Sequence, residues 1–147
     1  MRLPVSVWLS AGLLALAASR AVAAPTLLGN WLTEDRTGVI AIAVCGNAVC
    51  GRIVGMSQPL DTNEKAARDT HGAAMCGLPI LRASADAPDH YVGQITDPSN
   101  GSVWHCAVWL DAAGNLNVRG YVLLPLLGQT QIWTRFDGQV SAGCALN

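Results

Sequence analysis

Five cysteines are the residues with the most chemistry to offer in this 147-residue chain, and their spacing divides them. Cys45 and Cys50 stand five apart in "CGNAVC", while Cys76, Cys106 and Cys144 are scattered over the rest. Thiolates can bind zinc, but such a site wants a second close pair. A disulfide is the simpler chemistry. A four-residue loop at 46–49 would set Cys45 opposite Cys50 across a hairpin, with Cα atoms near ~4.5 Å, the short end of disulfide geometry. An odd count leaves one thiol over. Cys144, near a C-terminus where order is usually lowest, is the expected odd one, and by elimination Cys76 pairs with Cys106.

Other reactive types are thinly spread. His71, His90 and His105 have no partner at metal-ligand spacing, and the chain contains no G-x-S-x-G, no H-E-x-x-H and no phosphate loop. "DPSNG" at 97–101 offers Asp97 and Ser99, but it lacks the later Glu of a calcium loop and reads as a hairpin turn. No catalytic residue, metal or cofactor is expected. What remains is a polar set, Asp61, Asn63, Arg68, Arg119 and Tyr121, that could fix the head of a ligand if the fold gathered it. Trp104 and Trp109 are the matching candidates for apolar lining. Arg119 alternates with Gly120 on a strand, which equally suits an outward, solvated arginine.

The elements that must position these residues begin after residue 24. "MRLPVSVWLSAGLLALAASRAVAA" has a basic start, an apolar run and small residues before a cut, the layout of a cleaved secretory signal, so one domain over 25–147 is expected in a periplasmic or secreted, oxidising setting. The apolar run is too short to span a bilayer stably. Without Arg2 and Arg20, ten acidic residues face seven basic ones, about −3 net, with no basic run. Nucleic acid is therefore not an expected partner.

Eight runs read as strands: "NWLT", "GVIAIAVC", "VCGRIVG", "GLPILR", "HYVGQIT", "SVWHCAVWL", "LNVRGYVLL" and "QTQIWTRF". Turns such as "GN", "DPSNG" and "DAAGN" join them, and connections this short force antiparallel neighbours. The exception is 61–72, "DTNEKAARDTHG", where Asp61 and Glu64 form a capping-box-like start and a two-turn helix or an ordered loop fits. An all-β, up-and-down eight-stranded barrel disposes of every edge, with a two-sheet sandwich as the alternative.

Motifs carry a resemblance as well. "GNW" at Gly29–Trp31 resembles the G-x-W signature of lipocalins, the calycin-type barrels, and Arg135 resembles the arginine that packs across that tryptophan near the closed end of the fold. Trp133 and Arg135 share one face of the last strand. "GNW", "CGNAVCGRIV", "DTN", "GLPIL", "DPSNG", "VRGY" and "GQTQIWTR", in that order, resemble the bacterial secreted family catalogued as domain of unknown function 2147. That resemblance implies a lipocalin-like barrel and no established reaction. The chain departs from the family's pattern at Gly55-Met56, where a Trp is usual, at Glu64-Lys65, and at "HGAAM".

Three functions are compatible with such a barrel. It can bind a small apolar or amphipathic molecule in its mouth, act as an interaction or envelope-associated module with a filled interior, or place an enzyme site in the 57–75 loop. A lumen of at least ~300 Å³ separates the first from the second. Which face of "SVWHCAVWL" points inward stays open, because Val103, His105, Ala107 and Trp109 are about as apolar as Trp104, Cys106, Val108 and Leu110.

Overall fold

The structure, a computed structural model, describes residues 26–147; the leader read over 1–24 lies outside the described residues. Eight antiparallel strands follow one another around a closed barrel. They are β1 (Gly29–Leu32), β2 (Gly38–Cys45), β3 (Ala48–Met56), β4 (Pro79–Ala87), β5 (His90–Thr96), β6 (Val103–Leu110), β7 (Leu116–Tyr121) and β8 (Gln129–Arg135). β1 pairs with β2 on one side and β8 on the other, placing Trp31 opposite Arg135 and leaving no free edge.

Aspartates build two of the tight turns. Asp97 accepts from the N–H and hydroxyl of Ser99, and Asp111 accepts from the N–H groups of Ala113 and Asn115. The Asn115 N–H is the main cause that holds the Asp111 carboxyl below the usual range. Between β2 and β3 the turn is only Gly46-Asn47, with Cys45 paired to Ala48 and Cys50 to Ala43. Cys45 and Cys50 are bonded, but across the diagonal of the ladder, with Cα atoms 5.8 Å apart rather than directly opposite.

The second disulfide corrects the expectation from elimination: Cys76 pairs with Cys144, and Cys106 is the free thiol. Cys106 sits on the inward face of β6 with no solvent exposure, and burial pushes its thiol up to about 11 despite the Gly93 N–H that favours the thiolate. Cys144 is no loose end. Met56 N–H donates to Cys144 O at 2.6 Å and Leu146 N–H to Met56 O at 3.1 Å, so the C-terminal segment is laced to the end of β3. A Cβ on Gly55 would stand 2.5 Å from Leu146 Cδ2 and 2.7 Å from Val140 Cγ1. A side chain at Gly55 would thus collide with the C-terminal segment, which occupies the space.

Residues 61–72 form an ordered loop and not a helix. The Asp61 carboxylate accepts from the N–H groups of Asn63 and Lys65, Glu64 takes φ 61°, and bridges join Leu60 to Ala66 and Arg68 to Ala74. Short polar side chains that bond nearby backbone compete with helix, and here they win. β7 also ends sooner than "LNVRGYVLL" reads, at Tyr121. Pro125 has no N–H for a ladder and the chain turns through one 3-10 turn, Pro125–Leu127.

Inward residues make one core: Trp31, Ile40, Ile42, Val49, Ile53, Leu81, Cys106, Val108, Leu116, Val118 and Trp133 among them. Cys106 and Val108 settle the face of β6, so Trp104 and Leu110 also point inward while His105 and Trp109 point out. At Gly93 the approach of β4 leaves no space for any side chain, because a Cβ would lie 1.9 Å from the Arg82 carbonyl oxygen.

Candidate functional site

The two ends of the barrel differ, and the difference starts with Gly29, Trp31 and Arg135. Trp31 is fully buried and donates its indole N–H to Leu27 O at 2.8 Å. The Arg135 guanidinium lies 3.8 Å from the Trp31 ring centroid and donates to Leu28 O at 2.6 Å and Thr26 O at 2.8 Å. Gly29 has φ 119°, and a Cβ there would stand 2.7 Å from Arg135 Nη1, so only glycine leaves the guanidinium its place. The chain entering β1 is thereby tied across the closed end, over a lumen filled by Trp31, Leu116, Cys106, Val108 and Trp133.

The opposite end is open. A cavity of about 1160 Å³ runs from the loops at 33–37, 57–58 and 97–99, and from Leu127 and the start of β8, down to the core. Its floor is apolar, made by Ile40, Ile53, Ile80, Ile95, Val118 and Trp133, with Met56, Met75 and Trp104 on the walls. Its rim is polar and acidic: Glu34, Asp35 and Asp97 stand there, with Gln129 and Gln131 below. Burial raises the Asp35 carboxyl, but the Thr33 hydroxyl and the N–H and hydroxyl of Thr37 outweigh it and hold Asp35 below the usual range. Glu34 accepts from Ile132 N–H at 3.3 Å across the seam between β1 and β8.

The residues singled out from sequence divide. Trp104 lines the mouth of the cavity. Trp109 faces outward and stacks on His90, with centroids 5.7 Å apart, and Tyr121 does the same with His105 at 5.8 Å. Arg119 also lies on the outer side, donating to Pro125 O, Leu126 O and Thr130 Oγ1. Asp61, Asn63 and Arg68 stay in their exposed loop, where Arg68 donates to Gly72 O, and none of the three lines the cavity. The polar cluster imagined from Asp61, Asn63, Arg119 and Tyr121 is not assembled. The glutamines were missed although alternation carried the signal: once Arg135 points inward, so do Trp133, Gln131 and Gln129.

Residues 29–135 match the profile of a family described as an uncharacterized protein conserved in bacteria (DUF2147). The chain belongs to this family. The DUF2147 segment runs from the glycine of "GNW" to Arg135, so it begins and ends on the closed-end clasp and leaves the C-terminal lacing outside. Among solved structures this DUF2147 chain is similar to protein HP1028 from the human pathogen Helicobacter pylori, described as belonging to the lipocalin family. The TM-score is 0.60 at 12% identity, covering 78% of this chain and 85% of that one. The likeness is one of fold: a lipocalin-like barrel. No curated protein matches the chain.

Proposed function

We propose that the barrel is a carrier that holds one small apolar or amphipathic molecule in its open half. The observation that supports this reading most is the cavity itself. Its volume of about 1160 Å³ is well above the ~300 Å³ at which small-molecule sites begin, and its apolar floor lies under a polar rim. A chain of fatty-acid size fits the isoleucine-lined depth, with its head among Gln129, Gln131 and the rim. Glu34, Asp35 and Asp97 repel an anionic head, so a neutral one is preferred over a carboxylate or phosphate. On this reading the chain is not an enzyme. It acts outside the cytoplasm, in the periplasm or secreted, where its two disulfides persist.

A fluorescent long-chain alcohol titrated into delipidated protein should bind saturably at about one per chain, and more tightly than the acid of equal length. A Gly120→Phe variant should weaken it at least about tenfold. A Cβ at Gly120 meets nothing nearer than Trp104 Cβ at 3.8 Å, so the ring enters the mouth without disturbing the backbone. Absence of saturable binding up to ~1 mM, a standard free energy of only about −4 kcal/mol, would defeat the proposal.

A further inference from the structure

Outside the cavity, the two sulfurs of the β2–β3 hairpin have an unusual neighbour. Val49 and Ile53 point into the core, so alternation turns Cys50 to the outer surface, and Arg82 on β4 stands directly opposite it in the ladder. The Arg82 Nη1 donates to Cys45 Sγ at 3.5 Å and to Cys50 Sγ at 3.6 Å, so one guanidinium spans both sulfurs of one bond. Among the described residues that guanidinium makes no other hydrogen bond and pairs with no carboxylate. A disulfide sulfur is a weak acceptor, whereas a thiolate beside an arginine is strongly favoured. The other disulfide has no such neighbour. No side-chain donor reaches the sulfur of Cys76 or Cys144 among the described residues, and Cys144 is buried, with its carbonyl taken by Met56 N–H.

We propose that the Cys45–Cys50 pair is a thiol–disulfide exchange site that oxidises a dithiol, with Arg82 holding the sulfur that leaves. One thiolate of the dithiol attacks either sulfur of the pair. The Cys45–Cys50 bond breaks as the mixed disulfide forms, and the other cysteine departs as a thiolate beside the guanidinium. The dithiol's second sulfur, having lost its proton, then attacks its own partner in the mixed disulfide; that closes the new disulfide and releases the second cysteine. Two electrons pass to the hairpin, and the dithiol's two protons go to its sulfurs or to water. A disulfide becomes an oxidant when its reduced form is stabilised, which is what an otherwise unpaired guanidinium does here. The ladder from Ala43–Cys50 to Cys45–Ala48 holds both cysteines in place without the bond, so the reduced pair stays together and can close again. Opening a span of five residues also costs the fold less than opening one of 68. None of the three residues lines the cavity, so exchange does not depend on the cavity taking a ligand.

The test uses the protein purified from its own cells with both disulfides formed, treated with dithiothreitol under native conditions and trapped by alkylation for peptide mapping. Cys45 and Cys50 should open at least about tenfold faster than Cys76 and Cys144, releasing one oxidised dithiothreitol per chain. In mixtures of glutathione and its disulfide, Arg82→Gln should shift the hairpin pair about fivefold toward the closed form, the upper end for an exposed charge interaction. Arg82→Lys, which keeps the charge, should restore most of that shift. Arg82 is exposed, so both variants should fold, and circular dichroism checks this. An equilibrium that Arg82→Gln leaves within twofold of the parent overturns the proposal, as does a Cys76–Cys144 bond that opens first; either result would make the hairpin bond a structural link only.

Discussion

Trp31→Ala should lower the stability of the barrel by about 3–5 kcal/mol, the range for truncating a buried aromatic. The indole is fully enclosed, its N–H is spent on Leu27 O, and its face carries the Arg135 guanidinium at 3.8 Å. Removing it opens a void at the closed end and strands a carbonyl. Arg135→Ala should cost less, about 1–3 kcal/mol, through the lost cation–π contact and the unpaired carbonyls of Thr26 and Leu28. The two losses should not add, because each substitution removes the same contact; the double variant should be less destabilised than the sum by about 0.5–3 kcal/mol. Urea denaturation of the four proteins reads this directly. An Arg135→Ala midpoint equal to that of the parent, at unchanged slope, would show that the clasp contributes nothing.

Removing the Cys76–Cys144 bond, as Cys76→Ser/Cys144→Ser, should cost about 4 kcal/mol on chain-entropy grounds, because it closes a span of 68 residues. Cys45→Ser/Cys50→Ser should cost about half that, since its span is five residues and a tight hairpin already closes it. The order of the two matters more than either value. Losing the longer link also frees the segment that covers Gly55 and the end of β3, so protection of Met56 and Gly55 amides from hydrogen exchange should fall with it. In the unreduced native protein, peptide mapping should find every cysteine except Cys106 in a disulfide, with Cys106 alkylated only after unfolding. A larger loss from the hairpin pair, or Cys106 found bonded, would contradict this disulfide framework.

These features were unequally legible in the residues. Hairpin turns are local, so "GN", "DPSNG" and "DAAGN" announce antiparallel neighbours, and a meander of eight follows. The pairing of Trp31 with Arg135 was legible through resemblance, as a clasp needing a glycine, an indole and a guanidinium at the two ends of one chain. Long-range pairing of thiols has no local signature, and elimination chose Cys106 because nothing near Cys144 says that Met56 holds it. The lumen face of β6 was illegible since both faces are apolar: one fills the barrel, and the other carries Trp109 against His90. Asp61, Asn63 and Arg68 looked like a site because they are polar and close in sequence, yet their partners are their own backbone neighbours. The cavity mouth comes from four separate segments of the chain, and proximity of that kind is created only by closure.

A carrier would hold one small amphipathic molecule in the open half of the barrel. Native mass spectrometry of the protein purified from its own cells tests it without choosing a probe. The spectrum should show a second species heavier than the two-disulfide chain by one small-molecule mass, lost on denaturation and depleted in Gly120→Phe. Only the bare chain mass, in gently handled and undelipidated protein of both forms, would contradict it.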